Sequence, residues 1–154
     1  MRRHLMLTLL VFVSVAVPCS AQPYRALADQ LGRGDFSFDI SYGSRAIDRL
    51  VIVSIDARSG SFTGTFIRID AATDPLHVTG QFTSAGNGYL ITFRIPTAFG
   101  PRATASYNGS VIIQPAARTA FMAGTNTTAG AFSIGGTSPN GSRPFCAHGS
   151  STPG

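Results

Sequence analysis

Short runs in which apolar and polar residues alternate constrain this chain more than any other feature. Between Phe36 and Tyr42, aromatic and aliphatic residues occupy every second position and aspartate or serine occupies the positions between them. Successive side chains of a β-strand point to opposite faces, so this run predicts a strand with one buried and one solvated face. Glycine and proline, 17 and 9 residues respectively, recur between such runs and argue against long helices. The chain is therefore expected to form an all-β domain.

Eight candidate strands follow one another along the chain. They are Phe36–Tyr42, Leu50–Ile55, Ser61–Ile69, Leu76–Thr83, Tyr89–Ile95, Ala103–Ile113, Arg118–Gly124 and Gly130–Ile134. The connections are short, so consecutive strands are expected to be antiparallel neighbours. An eight-stranded meander of this kind closes into an up-and-down barrel, because closure removes both exposed edges of the sheet. A two-layer β-sandwich satisfies the same strand count and is the alternative.

Residues 1–21 predict export. Two arginines precede an apolar run over residues 5–17, and Ala21 is a small residue suited to a cleavage site. The run is shorter than the roughly 20 residues that a membrane-spanning helix needs. We therefore expect a cleaved signal peptide and a secreted or periplasmic protein without a membrane span. In the alternative, a lipoprotein, Cys19 would carry the lipid, but Pro18 stands where a lipobox has Gly or Ala.

The rest of the chain predicts one domain between two flanking segments. Residues 22–34 form a polar lead segment with a short helical turn at Ala26–Leu31, and residues 35–136 form the barrel. Residues 137–154, rich in Gly, Ser and Pro, are expected to be a flexible tail. Cys146 lies in this segment, and as the one cysteine left after processing it cannot form an internal disulfide.

Composition excludes several classes of function. Charged residues make up 12% of the chain, all basic residues are Arg, all acidic residues are Asp, and Trp is absent. Lysine Schiff-base chemistry and glutamate-dependent zinc hydrolysis are therefore ruled out. From Arg25 to Arg143 the arginines are spread singly along the chain, so no nucleic-acid footprint is visible.

No motif predicts catalysis or a cofactor. His77 and His148 have no second ligand at metal-binding spacing, and no Gly-x-Ser-x-Gly elbow occurs. Asp35 and Asp39 share a strand face but lie roughly 13 Å apart, too far for a pair of catalytic carboxylates. We expect both to solvate an outer face and His77 to be an exposed strand residue.

Five segments resemble the avidin and streptavidin family. The sequence Gly-Ser-Phe-Thr-Gly-Thr-Phe over 60–66 is similar to the family's Gly-x-Leu-Thr-Gly-Thr-Tyr hairpin, and the others follow in the family's order within residues 50–130. The other four are Val78–Ser84, Tyr89–Arg94, Ala105–Gly109 and Arg118–Thr128. The resemblance implies an eight-stranded up-and-down barrel that holds biotin in one open end, usually as a dimer or tetramer.

The resemblance also assigns site residues. The family's ligand-stacking tryptophans fall at Phe93, Tyr107 and Phe121, which remain aromatic. Its hydrogen-bonding tyrosine becomes Phe66, and a serine and a threonine become Ala103 and Ala105.

The rest of the family's polar contacts are also missing. Its asparagine and serine of the first strand have no clean match near Asp48 and Leu50, and the eighth run has no aspartate. Each lost hydrogen bond to a buried ligand group costs about 1–3 kcal/mol. The tight biotin binding of the family is therefore not expected.

Three hypotheses follow. The first is a non-enzymatic barrel without a cofactor that binds a small apolar or biotin-like molecule among Phe66, Phe93, Tyr107 and Phe121, with biotin as one candidate. These aromatic residues could equally fill the barrel as core. The second is an envelope or surface β-protein that acts through protein contacts, and the third is an exported hydrolase whose Ser, His and Asp converge around His77 only in space.

Overall fold

The computed structural model describes residues 22–42, 46–68, 74–96, 104–129 and 142–151, which form one short helix and eight strands. The helix is α1 (Arg25–Leu31), and the strands are β1 (Phe36–Ser41), β2 (Ala46–Ile55), β3 (Ser61–Arg68), β4 (Leu76–Ala85), β5 (Gly88–Pro96), β6 (Thr104–Gln114), β7 (Thr119–Ala129) and β8 (Ser142–Ser151). No helix among these residues is long and apolar enough to cross a membrane.

The strands form a closed antiparallel barrel in sequence order. Each strand pairs with the next, and β1 closes the barrel by pairing with β8 as well as with β2. Phe38, for example, lies opposite Leu50 on one side and Gly149 on the other. The prediction of an eight-stranded up-and-down meander is confirmed, and the sandwich alternative is wrong because no edge separates two sheets.

Alternation along the strands separates a core from a solvated surface. In β1 the residues Phe36, Phe38 and Ile40 are at most 1% exposed, whereas the residues between them are partly exposed. The inward positions of the other strands continue this core. Asp48 is the one charged side chain among the buried residues of the described chain.

The eighth strand corrects two predictions. Ser142–Ser151 is β8, paired with both β1 and β7, so the prediction of a flexible tail over 137–154 is wrong for these residues, and the barrel extends beyond residue 136. Two of the buried inward residues of β8, Ala147 and Gly149, are small. The alternation of apolar and polar residues along this strand is therefore weak in the sequence. The strand predicted at Gly130–Ile134 lies outside the described residues, as do residues 1–21, for which a signal peptide was predicted.

Small inward residues in β8 have a packing reason. A Cβ atom on Gly149 would lie 2.5 Å from a ring carbon of Phe36 and 2.7 Å from one of Phe38. Only glycine leaves room for these two rings at the closing seam. The residue that makes β8 hard to recognise is thus required by the closure itself.

The helix α1 covers one end of the barrel, where β1 begins. The short helical turn predicted within residues 22–34 is confirmed, but the segment is not simply polar, because Leu27 and Leu31 are fully buried in the core. The hairpin loop between β2 and β3 lies at the same end. Asp56 Oδ1 accepts hydrogen bonds from the backbone N–H groups of Arg58 (2.7 Å) and Ser59 (2.9 Å) there. Gly60 closes this loop at φ 75°, a conformation that favours glycine.

Candidate functional site

Three of the predicted site residues meet inside the barrel. Phe93 and Tyr107 are directly opposed on β5 and β6, and their rings stack with centroids 4.5 Å apart and planes 5° apart. The ring of Phe66, from β3 across the lumen, lies 5.6 Å from Tyr107 and 6.3 Å from Phe93. These distances are typical of interacting aromatic rings.

Further rings complete this aromatic cluster. Phe62 lies 6.2 Å from Phe93, and Phe145 of β8 lies 5.5 Å from Tyr107. All five rings are at most 4% exposed. The described part of the lumen is thus filled with packed side chains. These five rings therefore leave no room for a ligand among them.

Two more predicted site residues have described positions. Ala105 is buried on the same face of β6 as Tyr107. Phe121 does not line the lumen: it is 47% exposed on the outer face of β7, and its ring lies 5.0 Å from that of His148. The inward positions of β7 belong to Ala120 and Met122. Ala103 lies outside the described residues.

A polar network lies at the end of the barrel opposite α1. The Tyr42 hydroxyl donates to Asp48 Oδ2 at 3.0 Å, and Asn126 Nδ2 donates to the Tyr42 hydroxyl at 3.2 Å. The hydroxyls of Tyr42 and Tyr107 are also hydrogen-bonded to each other. Arg68 Nε lies 3.8 Å from Asp48 Oδ1. The network therefore connects the aromatic cluster to a buried carboxylate.

Strand register explains how these residues meet. Tyr107 faces Asn126 across β6 and β7, and Asp48 faces Arg68 across β2 and β3. Tyr42 directly follows β1, on the side of Phe36, Phe38 and Ile40 in the alternation. All of these residues lie where odd-numbered strands end and even-numbered strands begin, so antiparallel pairing gathers them at one end.

The hydrogen bonds of the network run in one direction. A tyrosine hydroxyl has one proton, and that of Tyr42 is donated to Asp48. Tyr107 must therefore donate its own proton to Tyr42, and its oxygen keeps lone pairs that can accept. The Asn126 amide oxygen is likewise an acceptor. This end of the lumen therefore offers acceptors beside an aromatic ring, which suits a ligand with N–H or O–H donors.

Burial keeps both tyrosines protonated. It raises the pKa of Tyr42 from 10.0 to about 12, although the hydrogen bonds from Tyr107 and Asn126 oppose this shift. The pKa of Tyr107 is raised further, by burial first and by its hydrogen bond to Tyr42 second. Both are neutral hydrogen-bonding phenols at ordinary pH, and neither is suited to act as a general base.

Four residues of this network were not predicted as site residues: Tyr42, Asp48, Arg68 and Asn126. A signal for Asp48 was present, because it lies two residues before Leu50 and four before Ile52, on the same face of β2. A carboxylate on a buried face indicates either a partner or a site. The sequence did not reveal the strand register that brings Asn126 and Tyr42 close to Asp48.

The other polar candidates lie on the outer surface. His77 is exposed, as predicted. Asp39 pairs with Arg49 (2.6 Å) and Asp35 with Arg118 (3.1 Å), and these carboxylates are 45% and 36% exposed, which confirms their outer-face position. Among the described residues, no three His, Cys, Asp or Glu side chains form a group that could hold a metal ion.

The outer face also carries an apolar stripe. It consists of Leu90, Ile112 and Phe121 on the adjacent strands β5, β6 and β7, with exposures of 45%, 60% and 47%. Ile112 and Phe121 are directly opposed, and Leu90 is diagonal to Ile112 because it pairs with Ser110. Three large apolar side chains at neighbouring positions of one solvated face thus form an exposed apolar patch.

Comparison with known proteins identifies no relative of this chain. No protein-family model, no curated protein and no solved structure matches the chain. The aromatic cluster, the polar network and the apolar stripe are therefore the features of the barrel that bear on its function.

Proposed function

We propose that the protein is a secreted or periplasmic, non-enzymatic binding barrel of avidin-like type. Its ligand is a small molecule that joins an apolar ring to N–H donors, bound at the end of the lumen opposite α1. One observation carries this proposal: a one-way hydrogen-bond network of Tyr107, Tyr42 and Asp48 ends at the surface of an otherwise apolar cluster.

The free-energy cost of burying polar groups supports a role of this network in binding. A buried polar network lowers stability relative to apolar packing unless each member is satisfied. Pockets for small molecules are mostly apolar, with a few convergent polar groups that fix orientation. The rings of Phe66, Phe93 and Tyr107 form the apolar base of this end of the lumen, and the hydroxyl of Tyr107 joins it to the polar groups.

Biotin is one candidate, with a reduced set of contacts. Phe66 and Ala105 are buried and bring no hydrogen-bonding side chain. Each missing bond costs about 1–3 kcal/mol for a buried polar ligand group. A simpler molecule such as phenylurea, with one ring and adjacent N–H donors, matches the acceptors of Tyr107 and Asn126 more closely.

Thermal unfolding with biotin, phenylurea and toluene tests the proposal. Phenylurea is expected to raise the Tm of the mature chain in a saturable way, and toluene, which has the ring without donors, is expected to raise it less. Tyr107→Phe keeps the ring and removes the acceptor oxygen, so it should abolish the difference between the two. Phe121→Ala, on the outer face, should preserve it. If none of the three compounds raises the Tm, the barrel is a filled core and the proposal fails.

Contact with another protein is the second candidate function. It is favoured by the apolar stripe of Leu90, Ile112 and Phe121, which the barrel leaves exposed. Native mass spectrometry of the native chain and of Ile112→Asp tests it. A complex, homomeric or heteromeric, that the substitution dissolves would identify the stripe as its interface. A monomer in both samples would reject self-association through the stripe.

A further inference from the structure

The helix α1 lies across the end of the barrel opposite the polar network. At its start, the backbone N–H of Tyr24 donates to the carbonyl of Ala57 at 3.1 Å, and the Tyr24 ring lies 6.3 Å from that of Tyr89 on β5. At its other end, Leu31 borders a groove together with Phe36 and Ile113. Leu27 and Leu31, four residues apart on one helix face, are fully buried.

Besides these side chains and the hydrogen bond from Tyr24 to Ala57, α1 has few stabilising interactions. It has seven residues, fewer than the roughly 12–15 that an isolated helix needs in water. It has no side-chain N-cap, no acidic residue in its first turn and no basic residue in its last turn. Its one ion pair, Arg25 with Asp29, is more than half exposed on both sides and adds little.

The connection from α1 to β1 permits movement. It contains Gly34 at φ 81°, and a Cβ atom placed there would meet nothing closer than 3.8 Å. Glycine populates left-handed and right-handed backbone conformations with similar ease. Gly34 can therefore act as a hinge between α1 and β1.

The space that α1 covers is apolar. The buried residues at this end of the barrel include Phe36, Ile52, Phe82, Val111 and Ala120. Beside α1 lies a groove of about 110 Å³, whose apolar lining is Leu31, Phe36 and Ile113 and whose other lining residues are polar or charged. An apolar barrel end of this kind accepts hydrocarbon and excludes polar groups that would lose their hydrogen bonds.

Charged side chains border the same groove. Arg33 and Arg118 line it, as does Asp29. Asp29 is engaged by Arg25, and Arg118 by Asp35, whereas Arg33 has no ion pair within the part of the chain that the structure describes. An anionic head group beside the apolar lining would find this guanidinium free to bind it.

We propose that α1 is a displaceable plug and that the space beneath it is a second binding site, one for a long-chain carboxylate. The hydrocarbon chain takes the place of Leu27 and Leu31 within the barrel end, and the carboxylate lies at Arg33. This site is at the opposite end from the polar network and does not depend on the function proposed for that network.

Tryptophan fluorescence tests the displacement, because the chain contains no tryptophan of its own. In Tyr24→Trp the single tryptophan reports whether α1 is docked. Dodecanoate, added below its micelle concentration, is expected to shift the emission of this variant to longer wavelength in a saturable way. Phe121→Trp, with its reporter on the outer face, should show no shift. Binding that leaves the emission of Tyr24→Trp unchanged would overturn the plug.

Three further variants separate the parts of the proposal. Leu27→Ala/Leu31→Ala weakens the competing plug and should tighten dodecanoate binding by about tenfold, because the open state becomes more populated. Arg33→Ala, an exposed change that spares the core, should weaken dodecanoate by about threefold to fivefold and leave dodecanol unaffected. Tyr107→Phe should change the binding of neither dodecanoate nor dodecanol. If dodecanoate binds neither the native chain nor the leucine variant, the site does not exist, whatever phenylurea does at the other end.

Discussion

At the scale of single residues, the chain places its polar groups in two different settings. Asp35 and Asp39 form ion pairs on the solvent-exposed surface, where such pairs contribute at most about 1 kcal/mol to the unfolding free energy. Asp48, Tyr42 and Tyr107 form a network in the barrel interior, where a hydrogen bond is stronger and its loss costs more.

Alkaline pH should destabilise the protein through the two buried tyrosines. Tyrosine in an unfolded chain titrates near pH 10, whereas the pKa of Tyr42 is raised to about 12 and that of Tyr107 is raised as well. Below about pH 10 both states keep their protons, so these groups leave the unfolding free energy constant. Above about pH 10 the unfolded chain releases protons that the folded chain retains, and the unfolding free energy falls as pH rises.

Urea unfolding between about pH 8 and about pH 11 measures this effect. Tyr107→Phe removes one of the two groups, so its unfolding free energy should fall less steeply above about pH 10 than that of the native chain. Phe121→Ala should show the native slope. Equal slopes for Tyr107→Phe and the native chain would mean that the Tyr107 hydroxyl is not buried.

At the scale of elements, the strands differ in how well their sequences reveal them. β1 was predictable because every inward residue is a large apolar one. β8 was not, because close packing of Phe36 and Phe38 requires glycine at position 149, and Ala147 is also small. Phe121 was placed in the lumen wrongly: alternation within β7 sets Ala120 and Met122 inward, and these residues give a weaker apolar signal than Phe121 itself.

A matched pair of substitutions in β8 tests that this segment is a strand and not a tail. Phe145 is 4% exposed and its ring lies 5.5 Å from that of Tyr107. Phe145→Ala should lower the unfolding free energy by about 3–5 kcal/mol, because it leaves a cavity in the core. His148→Ala, on the outer face of the same strand, should change it by about 0.5 kcal/mol or less. Urea denaturation measures both, and a neutral Phe145→Ala would show that residues 142–151 do not close the barrel.

At the scale of the whole molecule, closure places the two candidate binding sites at opposite ends. The sequence predicted seven of the strands, their order and a closed meander of eight, because these follow from alternation and short connections, but it placed the eighth strand at Gly130–Ile134, whereas β8 is Ser142–Ser151. It could not predict the polar network, because Tyr42, Asp48 and Asn126 are separated along the chain and only strand register brings them together. Nor did it predict that α1 covers one end.

Hydrogen exchange tests closure directly. β1 and β8 are paired over six residues, from Phe36 with Ser151 to Ser41 with Cys146. Their amides should therefore exchange about as slowly as those of β5 and β6 in the middle of the sheet. An open sheet would leave β1 and β8 as edges with unpaired amides, and fast exchange confined to these two strands would contradict the barrel.

The location of a bound ligand tests the central claim most directly. With phenylurea at saturation, nuclear Overhauser effects should connect its ring protons to the rings of Tyr107 and Phe66, at the end of the barrel opposite α1. Contacts to Leu90, Ile112 and Phe121 instead, or no intermolecular contact with the aromatic cluster, would contradict a binding site built on the network of Tyr42, Tyr107 and Asp48.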